Sequence, residues 1–118
     1  LARAVLEGIA FEVFDLTDSM RADAAREIPA FKVDGGASAN DLLMQFQADL
    51  LGVPVVRPRM IETTAFGAAF LAGLAVGVWP SKDGIRRTWK AEKKFSPRMK
   101  QGERERVLAK WRRAVGVA

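Results

Sequence analysis

Phe31-Lys32-Val33-Asp34-Gly35-Gly36-Ala37-Ser38-Ala39-Asn40 sets the architecture. Ala30 to Val33 is a short β-strand, and Asp34-Gly35-Gly36 is the turn signal that ends it. Asn40 or Asp41 can cap a helix through Leu51, with Leu42, Phe46 and Leu50 on one face. Gly52 then stands where a left-handed residue closes a helix. Val53-Pro54-Val55-Val56 reads as a second strand, in which Pro54 requires an edge or an early position because it donates no ladder hydrogen bond.

Outward from this unit, Leu1, Val5, Ile9, Val13, Leu16 and Met20 recur at helical spacing, with Leu6, Ala10 and Phe14 widening the stripe. This helix is expected to run to about Ala25, and Pro29 closes the connection after it. Thr63 or Thr64 opens a third helix, reaching about Val76, that is rich in small residues, among them Gly67, Ala68, Ala69 and Gly73. Glycine costs about 1 kcal/mol against alanine inside a helix, so these glycines signal close backbone approach, whether to a ligand or to a packed neighbour. After Pro80, Trp89, Phe95 and Trp111 are spaced anchors in a charged background, and Glu103 to Val115 reads as a final amphipathic helix. The order helix–strand–helix–strand–helix predicts an α/β fold with parallel strands.

With 118 residues, 49% of them hydrophobic, the chain is sized for one core, and its mixed charges argue against intrinsic disorder. It has no Cys and no His, which excludes a disulfide framework, a thiolate nucleophile, zinc chemistry and a Ser-His-Asp relay within the chain. Carboxylates remain for magnesium or calcium. The apolar run Ala65 to Trp79 would span about 22 Å as a helix, short of the roughly 30 Å hydrocarbon core, so no membrane partner is expected. The opening Leu1-Ala2-Arg3 leads the reading to a piece of a longer polypeptide, and nothing near the start resembles a signal peptide, so a reducing compartment, the cytoplasm, is expected.

The net charge of +5 is uneven. Residues 1–81 hold six Lys and Arg against ten Asp and Glu, whereas residues 82–118 hold thirteen against four. A basic end can serve nucleic acid or a membrane surface. Lys82, Arg86, Arg87, Lys90, Lys93 and Lys94 are interspersed with acids and lack an aromatic stacking series, so a solvated face is preferred and no nucleic acid is expected.

The Gly35-Gly36 turn is where chemistry can enter. Paired glycines let a flat or anionic ligand approach the backbone, and the helix that follows presents free N–H groups and a positive dipole end. In open α/β sheets ligands sit beyond the carboxyl ends of strands. The spacing is neither the Rossmann glycine pattern nor a Walker loop, and a plain tight turn accounts for these residues equally well.

The run Val33 to Pro58, through Asp34-Gly35-Gly36-Ala37-Ser38-Ala39-Asn40 and Met44-Gln45-Phe46-Gln47-Ala48-Asp49, resembles the C-terminal domain of glycerol kinases in the FGGY carbohydrate kinase family. Glu62-Thr63-Thr64-Ala65-Phe66-Gly67-Ala68-Ala69 through Gly77 continues the resemblance, as do Ala2 to Phe11, Trp89, Phe95-Ser96-Pro97 and Trp111-Arg112-Arg113-Ala114-Val115. Related sugar kinases share Gly-Gly-Ala and Gly-Val-Pro-Val but usually not the Met-Gln-Phe-Gln-Ala-Asp stretch, which favours glycerol over a pentose or gluconate. Phe66, Phe70, Val78 and Arg59 depart mildly from the pattern.

The resemblance implies a ribonuclease-H-like fold of the actin, sugar kinase and Hsp70 superfamily. Residues 1–79 would form the later core of the kinase's second domain, and residues 80–118 a basic helical C-terminal extension. It implies ATP or ADP at the turn, with Gly36 presenting backbone to the nucleotide, Asn40 meeting its adenine side, and Gly35 and Ala37 shaping the turn. Magnesium and glycerol would be held elsewhere, since the family's phosphate loop, glycerol ligands and general base match nothing in this chain. Asp34 is part of the adenosine motif and not that base. The expectation is an adenine-nucleotide-binding wall, inactive alone, within a homo-oligomeric kinase. The rival expectations are a related FGGY sugar kinase and a stand-alone interaction or nucleic-acid module.

Overall fold

The computed structural model describes residues 1–116, and the last two residues of the expected C-terminal extension lie outside them. In chain order the elements are α1 (Ala2–Ala24), β1 (Phe31–Lys32), a 3₁₀ turn (Gly36–Ala39), α2 (Asp41–Leu51), β2 (Val55–Pro58), α3 (Thr63–Ala75), α4 (Lys82–Thr88), β3 (Ala91–Phe95) and α5 (Gln101–Gly116). The sheet order is β1-β2-β3.

β1 and β2 pair in parallel, Phe31 opposite Val55, with α2 as the crossover between them. Pro54 precedes β2, and its carbonyl accepts the Phe31 N–H at 2.8 Å. β3 joins the other edge of β2 antiparallel, Val55 opposite Phe95, with a register shift between Arg57 and Pro58. That shift falls where proline has no N–H to give the ladder. The segment after Pro80 is therefore not helical throughout, and the parallel rule holds for the first strand pair alone. The alternation Glu92-Lys93-Lys94 obscured β3, because four of its five residues are exposed and only Phe95 turns inward.

The core lies between α1, α2 and the sheet: Ala10, Phe14, Leu43, Met44, Ala48, Leu50, Leu51, Val55, Phe95 and Leu108. α1 buries Ala10 and Phe14 of the widening row, and with them Thr17, which the predicted stripe did not include. Leu1, Val5, Ile9, Leu16 and Met20 face outward, because the i, i+4 row drifts around a 3.6-residue helix and α2 covers only one side of it. On α2 the buried row is likewise shifted by one residue. Leu43, Met44, Gln47, Ala48 and Leu51 point in with Leu50, whereas Leu42 is 48% exposed. Gly52 ends α2 at φ 67, as expected.

Two aromatic anchors close the layers. Phe11 stacks on Trp111 of α5 at 4.9 Å between centroids and meets Phe46 of α2 edge-on at 5.6 Å. The loop from β3 to α5 is held by α2: Asp49 Oδ1 accepts the Arg98 N–H at 2.6 Å, and Gln45 Nε2 donates to the Ser96 carbonyl at 2.9 Å.

α3 is apolar all round, yet among its residues only Gly73 is buried. A helix with apolar residues on every face belongs inside a larger body.

Candidate functional site: the Gly35–Asn40 turn

β1 delivers the chain to Asp34, whose carboxylate accepts the hydroxyl of Thr63, the first residue of α3. Gly35 follows at φ 79, a backbone that favours glycine, and its N–H donates to the Ile61 carbonyl at 2.7 Å. Its carbonyl accepts both the N–H (3.0 Å) and the hydroxyl (2.6 Å) of the buried Ser38. The Ala37 carbonyl accepts the Asn40 N–H at 3.2 Å. Asn40 caps α2, its Oδ1 taking the Leu43 N–H at 3.0 Å.

Gly36 differs from its neighbour. It lies outside the left-handed region, it is exposed, and a Cβ built on it would meet no atom within 4 Å. Gly35, Gly36, Ala37 and Asn40 are thus brought together on one turn at the carboxyl end of β1. Gly36, Ala37 and Asn40 are exposed there, and Asn40 is the residue that caps α2.

Sequence reasoning missed what holds the turn from below. Arg57 on β2 is 7% exposed, and its Nη1 donates to the Ser38 carbonyl at 2.9 Å and to Asp41 Oδ1 at 2.8 Å. Its Nε donates to Glu92 Oε2 on β3 at 2.7 Å. Lys93, also on β3, ion-pairs with the other oxygen of Asp41. Hydrogen bonding to Glu92 raises the Arg57 pKa, against the opposing effect of burial and with Asp41 adding to the rise. Hydrogen bonds from Lys93 and then Arg57 hold the Asp41 carboxyl below its ordinary value. The available signal was a lone arginine in the apolar run Val55-Val56-Arg57-Pro58, a position where a charge requires a partner.

Two recesses flank the turn. One, of about 720 Å³, runs between the sheet end and α3–α4, with Lys32, Phe66, Gly67, Phe70, Ile85 and Trp89 on its walls. None of Gly35 to Asn40 is on its walls; Thr63, which bonds Asp34, is the wall residue tied to the turn. The other, of about 370 Å³, adjoins the start of α2 and is lined by Asp41, Gln45, Lys93, Lys94 and Arg98 among others. No helix among the described residues is long and apolar enough to cross a membrane.

The α3 glycines divide. Gly73 lies under the Trp79 ring, where an added Cβ would fall 2.6 Å from Cδ1, so close packing by a side chain accounts for it. At Gly67 an added Cβ would meet no other described residue's side chain, nor backbone from outside α3, within 4 Å.

Residues 1–76 match the C-terminal domain of the FGGY family of carbohydrate kinases. The chain is 66% identical over 115 residues to a glycerol kinase of Myxococcus xanthus, covering 98% of this chain and 23% of that protein. It is 52% identical over 118 residues to a glycerol kinase of Deinococcus radiodurans, covering 100% of this chain and 24% of that one. A crystal structure of Plasmodium falciparum glycerol kinase with ADP superposes with a TM-score of 0.83 at 34% identity, over 97% of this chain and 23% of that one. Xylulose kinase from Lactobacillus acidophilus superposes at 0.75 with 25% identity, over 99% and 24%. The chain thus spans 23–24% of the length of these relatives, and its α/β fold is that of the sugar kinases in the actin and Hsp70 superfamily. By the family match and by identities that run its whole length, the chain belongs to the FGGY family of carbohydrate kinases.

Proposed function

We propose that these residues form the adenine-nucleotide-facing part of an ATP-dependent, cytoplasmic glycerol kinase, with residues 1–79 as domain core and 80–118 as the extension that closes it. The whole enzyme would move the γ-phosphoryl group of ATP to a glycerol hydroxyl, giving ADP and glycerol 3-phosphate. Names of relatives at 52–66% identity support glycerol as the acceptor, and an ADP-bound relative supports the nucleotide.

The observation that carries the site is Gly36. Among the described residues nothing demands glycine there, neither a left-handed backbone nor a neighbour that a Cβ would strike. A ligand lying against the backbone does demand it. Asn40 adds a donor: its Oδ1 is committed to capping α2, so its Nδ2 is the atom left for an acceptor on the nucleotide. This turn positions the adenosine end, while phosphoryl transfer also requires charge stabilisation around the γ-phosphate. In this reading the 118 residues alone are inactive, and no residue of the chain is assigned to Mg²⁺ or to glycerol.

Nucleotide titrations of the full-length kinase test the assignment. Gly36→Val fills the open side of the turn, and the expected result is a large loss of ATP affinity with glycerol binding unchanged. Asn40→Asp keeps the cap oxygen and removes the amide donor, so thermal stability is retained while about tenfold of ATP affinity is lost. Unchanged affinity in both folded variants rejects the site. A panel of glycerol, pentoses and gluconate checks the acceptor.

A further inference from the structure

We infer that Arg57 is a positioning residue for nucleotide binding: its buried guanidinium sets the Gly35–Asn40 turn by tying the Ser38 carbonyl and the Asp41 carboxylate to Glu92 on β3. The inference rests on the nucleotide reading of that turn.

The geometry is specific to a guanidinium. Arg57 reaches three groups from three segments: the 3₁₀ turn, the first residue of α2, and the strand that enters the sheet 35 residues later. Nη1 serves the turn side and Nε the β3 side, so the planar fork fixes the angle between them. A lysine at this position supplies the charge without the fork. The atoms it holds flank the proposed ligand contacts. Ser38 lies two residues after Gly36, and Asp41 directly follows Asn40. Ser38 is buried and is also bonded to the Gly35 carbonyl, so a displacement at Ser38 is passed to Gly35 through that bond. Arg57 hydrogen-bonds Ser38, Asp41 and Glu92 and makes no hydrogen bond to Gly36 or Asn40 among the described residues, so its effect on a ligand would pass through the turn's shape.

The carboxylates are not spare surface charges. The side chains of Asp41 and Glu92 are 54% and 47% exposed, yet they point their oxygens at the one buried cation among the described residues of this sheet. Lys93 holds the second oxygen of Asp41 from the solvent side, which leaves the first directed at Arg57. β3 therefore contributes two charged side chains to the hold on a turn from which its sequence position is remote.

The test is steady-state kinetics of the full-length kinase carrying Arg57→Met, Arg57→Lys, Glu92→Gln or Gly36→Val. Expected for Arg57→Met is a rise of about tenfold in the ATP KM, with kcat and the glycerol KM within about twofold. Arg57→Lys and Glu92→Gln should fall between it and the wild type, at about threefold. Glu92→Gln keeps Arg57 in place and covers the case in which Arg57→Met does not fold. A purely structural role lowers the unfolding temperature and leaves the ATP KM of the folded enzyme untouched. An unchanged ATP KM in Arg57→Lys and Glu92→Gln, beside a raised one in Gly36→Val, overturns the positioning role alone. An unchanged ATP KM in Gly36→Val, together with unchanged ATP affinity in Asn40→Asp, overturns the nucleotide reading and the role of Arg57 with it.

Discussion

Trp111 donates its indole N–H to Asp15 Oδ2 at 2.7 Å across 96 positions of sequence, while its ring lies flat on Phe11. The pair joins the last helix to the first, beside Leu108, which α5 adds to the core of α1, α2 and the sheet. Its two parts are separable. Trp111→Phe keeps an aromatic ring for Phe11 and removes the donor, and the expected loss is about 1 kcal/mol. Trp111→Ala removes both and should cost about 3 kcal/mol. Urea denaturation, with an Asp15→Asn double-mutant cycle, measures the hydrogen-bond share. Equal losses for the Phe and Ala variants would contradict this division.

Gly73→Ala and Gly67→Ala are expected to act in opposite directions. At position 73 the new methyl would lie 2.6 Å from Trp79 Cδ1 and 2.8 Å from Nε1, so the ring must move. Overpacking of that kind costs about 1–3 kcal/mol, more than the helix-propensity gain of about 1 kcal/mol. At position 67 the methyl meets nothing, and the propensity gain remains. Thermal unfolding of the two variants of the 118-residue chain checks the order. A loss of stability for Gly67→Ala would show that its side of α3 is covered.

The 118-residue chain by itself is expected to self-associate. Leu71 and Val76 are 68% and 77% exposed on or next to α3, and Leu16 and Met20 lie open on α1. Apolar patches of this kind seek a partner surface. Light scattering over a concentration series should report a mass that rises with concentration, and a constant monomer mass would count against the prediction.

Asp41 gives the stability a pH dependence of known sign. Its carboxyl is held below the ordinary value of 3.8 by hydrogen bonds from Lys93 and then Arg57. A depressed folded-state pKa means the contribution is present above the unfolded value and is lost as pH falls through the folded one. Wild-type stability should therefore drop on acidification below about pH 4 by an increment that Asp41→Asn lacks. Denaturation midpoints at several pH values, compared between the two proteins, check the difference. Parallel pH profiles would contradict it.

The sequence made the strand–turn–helix–strand unit readable because each boundary carried its own local chemistry. Asn40 caps, and the backbone at φ 79 and φ 67 favours the glycines found at positions 35 and 52. The two buried rows were harder. On α1 and α2 several apolar rows compete, and the choice among them was made by the neighbouring helix, as Phe11, Phe46 and Trp111 meeting at one point illustrate. β3 was hidden by its exposure, since a strand with one inward residue has no apolar alternation to read. Arg57 was legible as an oddity but not as a clamp, because Glu92 is 35 positions away and only the antiparallel pairing brings it near.

That antiparallel strand has a consequence for synthesis. A ribosome that has made residues 1–80 has already delivered β1, the Gly35–Asn40 turn, α2 and β2. Glu92 and Lys93, which steady the turn through Arg57 and Asp41, come later still, and Trp111 later again. The proposed nucleotide wall therefore matures after its own residues have emerged, and a nascent chain stopped short of β3 would present the motif before it has the stiffness to grip.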